Sequence, residues 1–115
     1  MATNQKSYGK TTIALDVLVS IAQLTTLSVE GVSRLTAVPR DVNTLFKKGI
    51  NDGVNISVED DRVYVDLYVI LKRDVNVREV SHTIQHQVAR AISEMVGMEI
   101  GRINIHIEDI DFAAE

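Results

Sequence analysis

His82 and His86 stand four residues apart, a spacing that brings two imidazoles to one side of a helix. Two histidines so placed are half of a metal site. The pair lacks the glutamate of an H-E-x-x-H zinc motif, and Arg78 and Arg90 extend the same four-residue row on either side. Cations beside a ligand pair disfavour a dication. The row Arg78, His82, His86, Arg90, closed by Glu94, is therefore read as a charged helix face that suits an acidic partner, or the acidic tail of another copy. A second constellation is Asp66, His106 and Glu108, which could cluster across neighbouring strands and pass a proton. Three titratable groups on an open face without an enclosing pocket do not make an active site. The sequence holds no G-x-S-x-G, G-x-G-x-x-G or P-loop. No catalytic residue, no metal and no cofactor is expected, and the chain is read as a non-enzyme.

These side chains need elements to position them. Arg62 to Lys72 reads R-V-Y-V-D-L-Y-V-I-L-K. Val63, Val65, Leu67, Val69 and Leu71 fall on one face of an extended chain, and Tyr64, Asp66, Tyr68 and Ile70 on the other. Period-two alternation in β-branched and aromatic residues predicts a half-buried strand. Val54 to Glu59 alternates likewise, and Glu59-Asp60-Asp61 turns it into a hairpin with the long strand, although the turn lacks the usual glycine. Ile103, Ile105 and Ile107 alternate with Asn104, His106 and Glu108 in a third strand from Gly101 to Asp111, with the acidic end from Asp109 onward expected to fray.

Two stretches switch to helical spacing. Between Asp16 and Leu27, an apolar stripe of Val17, Leu18, Ile21, Ala22 and Leu24 faces inward, and Asp16 caps the start or complements the helix dipole. After Asn76, with Glu79 three residues on in the manner of a capping box, Val77, Val80, Ile84, Val88, Ala91, Ile92 and Met95 form a longer stripe. Gly97 follows where a left-handed C-terminal cap belongs. Lys10 to Leu15 and Val32 to Leu35 are short strand candidates. Ala37 to Gly53 reads as an exposed connection with a short helix carrying Val42, Leu45 and Phe46.

Helices and strands do not alternate in repeated units, so a long parallel sheet is not expected. The fold class is α+β: a small, mostly antiparallel sheet with two main helices packed on one face. One domain spans residues 1–115, with 1–7 and 112–115 flexible. The uncovered face of the sheet then carries Tyr64, Asp66, Tyr68, Ile70, Asn104 and His106. Tyrosines and an isoleucine on one strand give the amphipathic area found at protein interfaces, which makes this face the candidate interaction surface.

The 115 residues contain no cysteine and carry a net charge of -4. An acidic chain is poorly suited to nucleic acid or anionic lipid. A single-stranded RNA-binding module remains the alternative reading, because tyrosines on an open sheet can stack bases. No run approaches the ~20 apolar residues of a membrane-spanning helix, and the polar start lacks the layout of a secretory signal. A cytoplasmic protein is expected.

Several pieces together resemble the alkaline shock protein family of stress-response proteins: Gly31-Val32, V-Y-V-D-L-Y-V-I at 63 to 70, Val80 with Gln85 and Val88, Met95 with Gly97, and I-N-I at 103 to 105. The likeness runs from about Tyr8 to Ile110. Where the family often has Tyr-Gly after the long strand, this chain has Lys72-Arg73. The resemblance implies a small bacterial protein of cell-envelope homeostasis or envelope stress response, cytoplasmic, in some cases held at the inner face of the membrane by a membrane-anchored partner. No catalytic residues are established for the family. The resulting expectation is a self-associating scaffold that binds a membrane-proximal protein.

Overall fold

The computed structural model describes residues 15–37, 49–51 and 53–113. In chain order they form α1 (Leu15–Leu27), β1 (Val32–Leu35), β2 (Gly49–Asn51), β3 (Val54–Glu59), β4 (Arg62–Lys72), α2 (Val77–Val96) and β5 (Glu99–Asp111). The five strands make one sheet. With two helices on one side of it, the class is α+β, as expected.

β4 is the hub. Along one edge its first half pairs antiparallel with β3, from Glu59↔Arg62 to Val54↔Leu67. Its last residues pair antiparallel with β1, Val32↔Leu71 to Leu35↔Val69. Tyr68 is the handover point. Its N–H donates to the carbonyl of Gly53 at 2.9 Å, and its carbonyl accepts from the N–H of Thr36 at 2.9 Å. Along the other edge β4 pairs parallel with β5 from Arg62↔Glu99 to Lys72↔Asp111. Parallel neighbours need a crossover, and α2 supplies it. So three pairings are antiparallel, counting β2 with β3, and the longest is parallel.

The valine and leucine face of β4 is sealed. Val63, Val65, Leu67, Val69 and Leu71 share one core with Leu18, Val19, Ile21 and Ala22 of α1 and with Val80, Ile84, Val88 and Ile92 of α2. Each fully buried aliphatic side chain contributes about 1.5–3 kcal/mol, so this shared layer outweighs any single polar contact.

Local rules account for the ends. The β3–β4 hairpin closes through Asp60 (φ 52°) and Asp61 (φ 65°), the two left-handed residues of a type I′ turn, which aspartate tolerates without glycine. Asn76 caps α2 by accepting from the N–H of Glu79 at 3.1 Å, and Gly97 ends it in the left-handed region.

Some expectations change. On α1, Val17 and Leu24 are exposed, and Val19 and Thr26 are buried in their place. The helix is apolar on nearly every side, so spacing alone does not choose its inner face. Asp16 lies in the first turn of α1, so of its two expected roles it complements the helix dipole and does not cap the helix from outside. On α2, Val77 and Met95 sit past the ends of the packed stripe and are exposed. Asp109 to Asp111 do not fray: they continue β5 against Ile70, Leu71 and Lys72. Gly49–Asn51 is a strand and not part of a loop. The expected strand from Lys10 to Leu15 fails at its last residue, because Leu15 opens α1; its remainder, the short helix around Val42, Leu45 and Phe46, and the flexible residues 1–7 lie outside the described residues.

Candidate functional site

The sheet face turned away from the helices divides into a closed end and an open end. Tyr68 and Ile70 are only 5% and 7% exposed, which corrects their place on the expected surface. The Tyr68 ring stacks on His106 with centroids 4.4 Å apart and planes 9° from parallel. Above the end of β4, Asp111 Oδ2 accepts from Ser33 Oγ (2.7 Å) and from Arg34 Nη1 (3.0 Å), a strut that ties β5 to β1 across β4. Alternation assigned these side chains to the correct face; it could not tell that this end of the face is covered.

At the open end Tyr64, Asp66 and His106 are half-buried and Asn104 is exposed. Asp66 Oδ1 accepts from Asn104 Nδ2 at 3.1 Å and lies 2.9 Å from His106 Nε2. The expected cluster of Asp66 with His106 therefore exists, and Glu108 is not part of its bonding. A carboxylate holding an imidazole can orient it for proton transfer, but such catalysis needs a reacting group within reach in a cleft that excludes water. Here the pair occupies an open face, both side chains about a third exposed. Its bonds instead fix three outer-face side chains of β4 and β5 in one arrangement. Tyr64 lies flat over Gly101: a Cβ there would sit 2.5 Å from the ring, so glycine is required for the contact.

The row on α2 is placed as expected. Arg78, His82, His86 and Arg90 are all exposed, and Arg90 Nε meets Glu94 Oε2 at 3.0 Å. A shallow groove of about 690 Å³ runs along this flank, lined by His82, Gln85, His86, Ala89 and Arg90. His106 is on the far side of the sheet, so the three histidines do not meet. Among the described residues no three groups come together to hold a metal ion.

Sequence reading missed the outer edge of β5. Thirteen residues long, the strand pairs with β4 alone among the described residues. Gln85 Nε2 reaches over from α2 and donates to the Ile103 carbonyl at 2.9 Å. Arg102 and Glu108 are exposed and have no ion pair among the described residues. No described helix is long and apolar enough to cross a membrane.

Comparison with known proteins adds the following. A model of the alkaline shock protein 23 family, described by its cell envelope-related function, matches residues 3–112. The chain is 35% identical over 103 residues to the uncharacterized protein Spy1535 of Streptococcus pyogenes, covering 89% of this chain and 79% of that one. It is 28% identical over 106 residues to the uncharacterized protein YqhY of Bacillus subtilis, covering 90% and 78%. The uncharacterized protein YloU of the same species matches at 21% over 107 residues, covering 90% and 89%. No solved structure matches the chain.

Proposed function

The chain belongs to the alkaline shock protein 23 family, whose function is cell envelope-related, and on that premise we propose that it is a non-enzymatic scaffold. In this reading it associates with itself and binds a membrane-proximal protein, which holds it at the inner face of the cell membrane. One observation carries the reading. Among the described residues β5 is a 13-residue strand with a neighbour on one edge only, a feature suited to joining chains and not to transforming a substrate. The exposed row Arg78, His82, His86 and Arg90, with its two guanidiniums, suits an acidic segment of the membrane protein.

Fractionation of the native cells tests this. The protein is expected to sediment with washed membranes, to be released when those membranes are treated with a protease that destroys the anchor, and to ignore protein-free vesicles. Uniform recovery in the soluble fraction would remove the membrane-proximal partner, and binding to bare vesicles would replace it with lipid. The RNA-binding alternative gains nothing from the geometry. Tyr68 is buried and unavailable for base stacking, and the open face carries Asp66, which repels phosphate.

A further inference from the structure

We propose that β5 pairs antiparallel with the β5 of a second copy, about a twofold axis through Ile105, so that Arg102 of each chain meets Glu108 of the other. This deepens the self-association reading above and rests on it. Three observations converge on the register.

The first is facing. β5 keeps strict alternation with β4 from Arg102 to Ile107, between register shifts that step over Gly101 and Glu108. Residues directly opposite in an antiparallel pair share a face. Odd-numbered isoleucines must therefore meet odd-numbered isoleucines, and half of all registers drop out. An axis through Ile105 sets Ile103 against Ile107 of the partner subunit, and Asn104 against His106 of the partner subunit. The helices of both copies then lie on the same side of one continuous sheet.

The second is charge. Among the face-matched registers, an axis through Ile103 sets Arg102 against an asparagine, and an axis through Asn104 sets it against a histidine. Only the axis through Ile105 places it against a carboxylate, with Asp109 adjacent. Arg34, Arg62, Arg73 and Arg90 each have a carboxylate oxygen within 3.9 Å in their own chain. Among the described residues Arg102 has none, and Glu108 has no cation. Opposite charges directly across a strand pair favour it, and like charges oppose it.

The third is the edge itself. The bond from Gln85 to the Ile103 carbonyl shows that this carbonyl points to the side of β5 away from β4. Gln85 occupies the place that the Ile107 N–H of the partner subunit would take in the ladder, and its flexible side chain can yield it. Beside this edge the flank of α2 carries a shallow groove of about 690 Å³ at Gln85 and Ala89.

Sedimentation of two single variants and their mixture decides the matter. A dimer of Arg102→Glu sets four carboxylates against one another in two pairs across its axis, and a dimer of Glu108→Arg sets four guanidiniums likewise. Both residues are exposed, so each variant should keep the wild-type circular dichroism. Each alone is expected to weaken self-association roughly tenfold to hundredfold. Mixed, they should recover it, because each then supplies the charge the other lacks. Wild-type protein that stays monomeric at every concentration would overturn both this inference and the self-association reading, and would leave the edge to an extended segment of another protein. Wild-type association that neither variant disturbs would overturn only the edge. Variants that weaken but fail to recover on mixing would overturn the register.

Discussion

Thr26 lies fully buried on α1, and its hydroxyl has no hydrogen-bond partner among the described residues. A buried unsatisfied hydroxyl costs about 1–3 kcal/mol. Thr26→Val keeps the shape and removes the polar atom. It should raise the unfolding free energy by about 1 kcal/mol, read as a higher urea midpoint with an unchanged slope; a lower midpoint would mean that the hydroxyl is satisfied in solution. Tyr68 makes the opposite case. Its ring is buried and stacked on His106, so Tyr68→Ala should cost roughly 3–5 kcal/mol, the range for losing a buried aromatic. A loss near zero would return Tyr68 to the surface, where alternation alone puts it. Periodicity says which way a side chain points. Whether that direction ends in water depends on neighbours distant in sequence: here Asp111, which joins Arg34 across 77 residues.

At the scale of elements, Gly53 shows how a strand edge changes partners. Where β3 gives way to β1 beside β4, its φ is +89°, and an added Cβ would lie 2.6 Å from the Thr36 carbonyl oxygen and 2.9 Å from Leu35 Cβ. Neither the backbone nor its neighbours can yield cheaply. Gly53→Ala should therefore destabilise by roughly 2 kcal/mol or more, and thermal unfolding measures it. A variant of wild-type stability would show that the junction relaxes freely. The caps of α2 were legible because Asn76, Glu79 and Gly97 carry their chemistry locally. β4 was legible because eleven alternating residues leave little choice. β2 was not: Gly49, Ile50 and Asn51 show no period, and they are extended because β3 offers an edge. The parallel sense of β4 and β5 was also hidden, since alternation is the same in parallel and antiparallel strands.

Seen whole, the molecule is one sheet with a helical roof, and that much follows from which residues repeat at two and which at 3.6. The candidate site was legible in part. The α2 row and the Asp66–His106 neighbourhood stand where spacing put them, whereas the outer edge of β5, the surface proposed for self-association, emerges only from the strand order. That order also bears on biosynthesis. β4 gains its long parallel neighbour only after α2 and β5 have been translated, an interval on the order of seconds at ordinary elongation rates. During that interval a bare β4 on one ribosome can accept the β5 of a chain further along the same messenger, exchanging strands between nascent chains in place of closing each on itself. A pause in translation between β4 and β5 would lengthen that window, so codon choice over α2 bears on how many molecules leave the ribosome entangled.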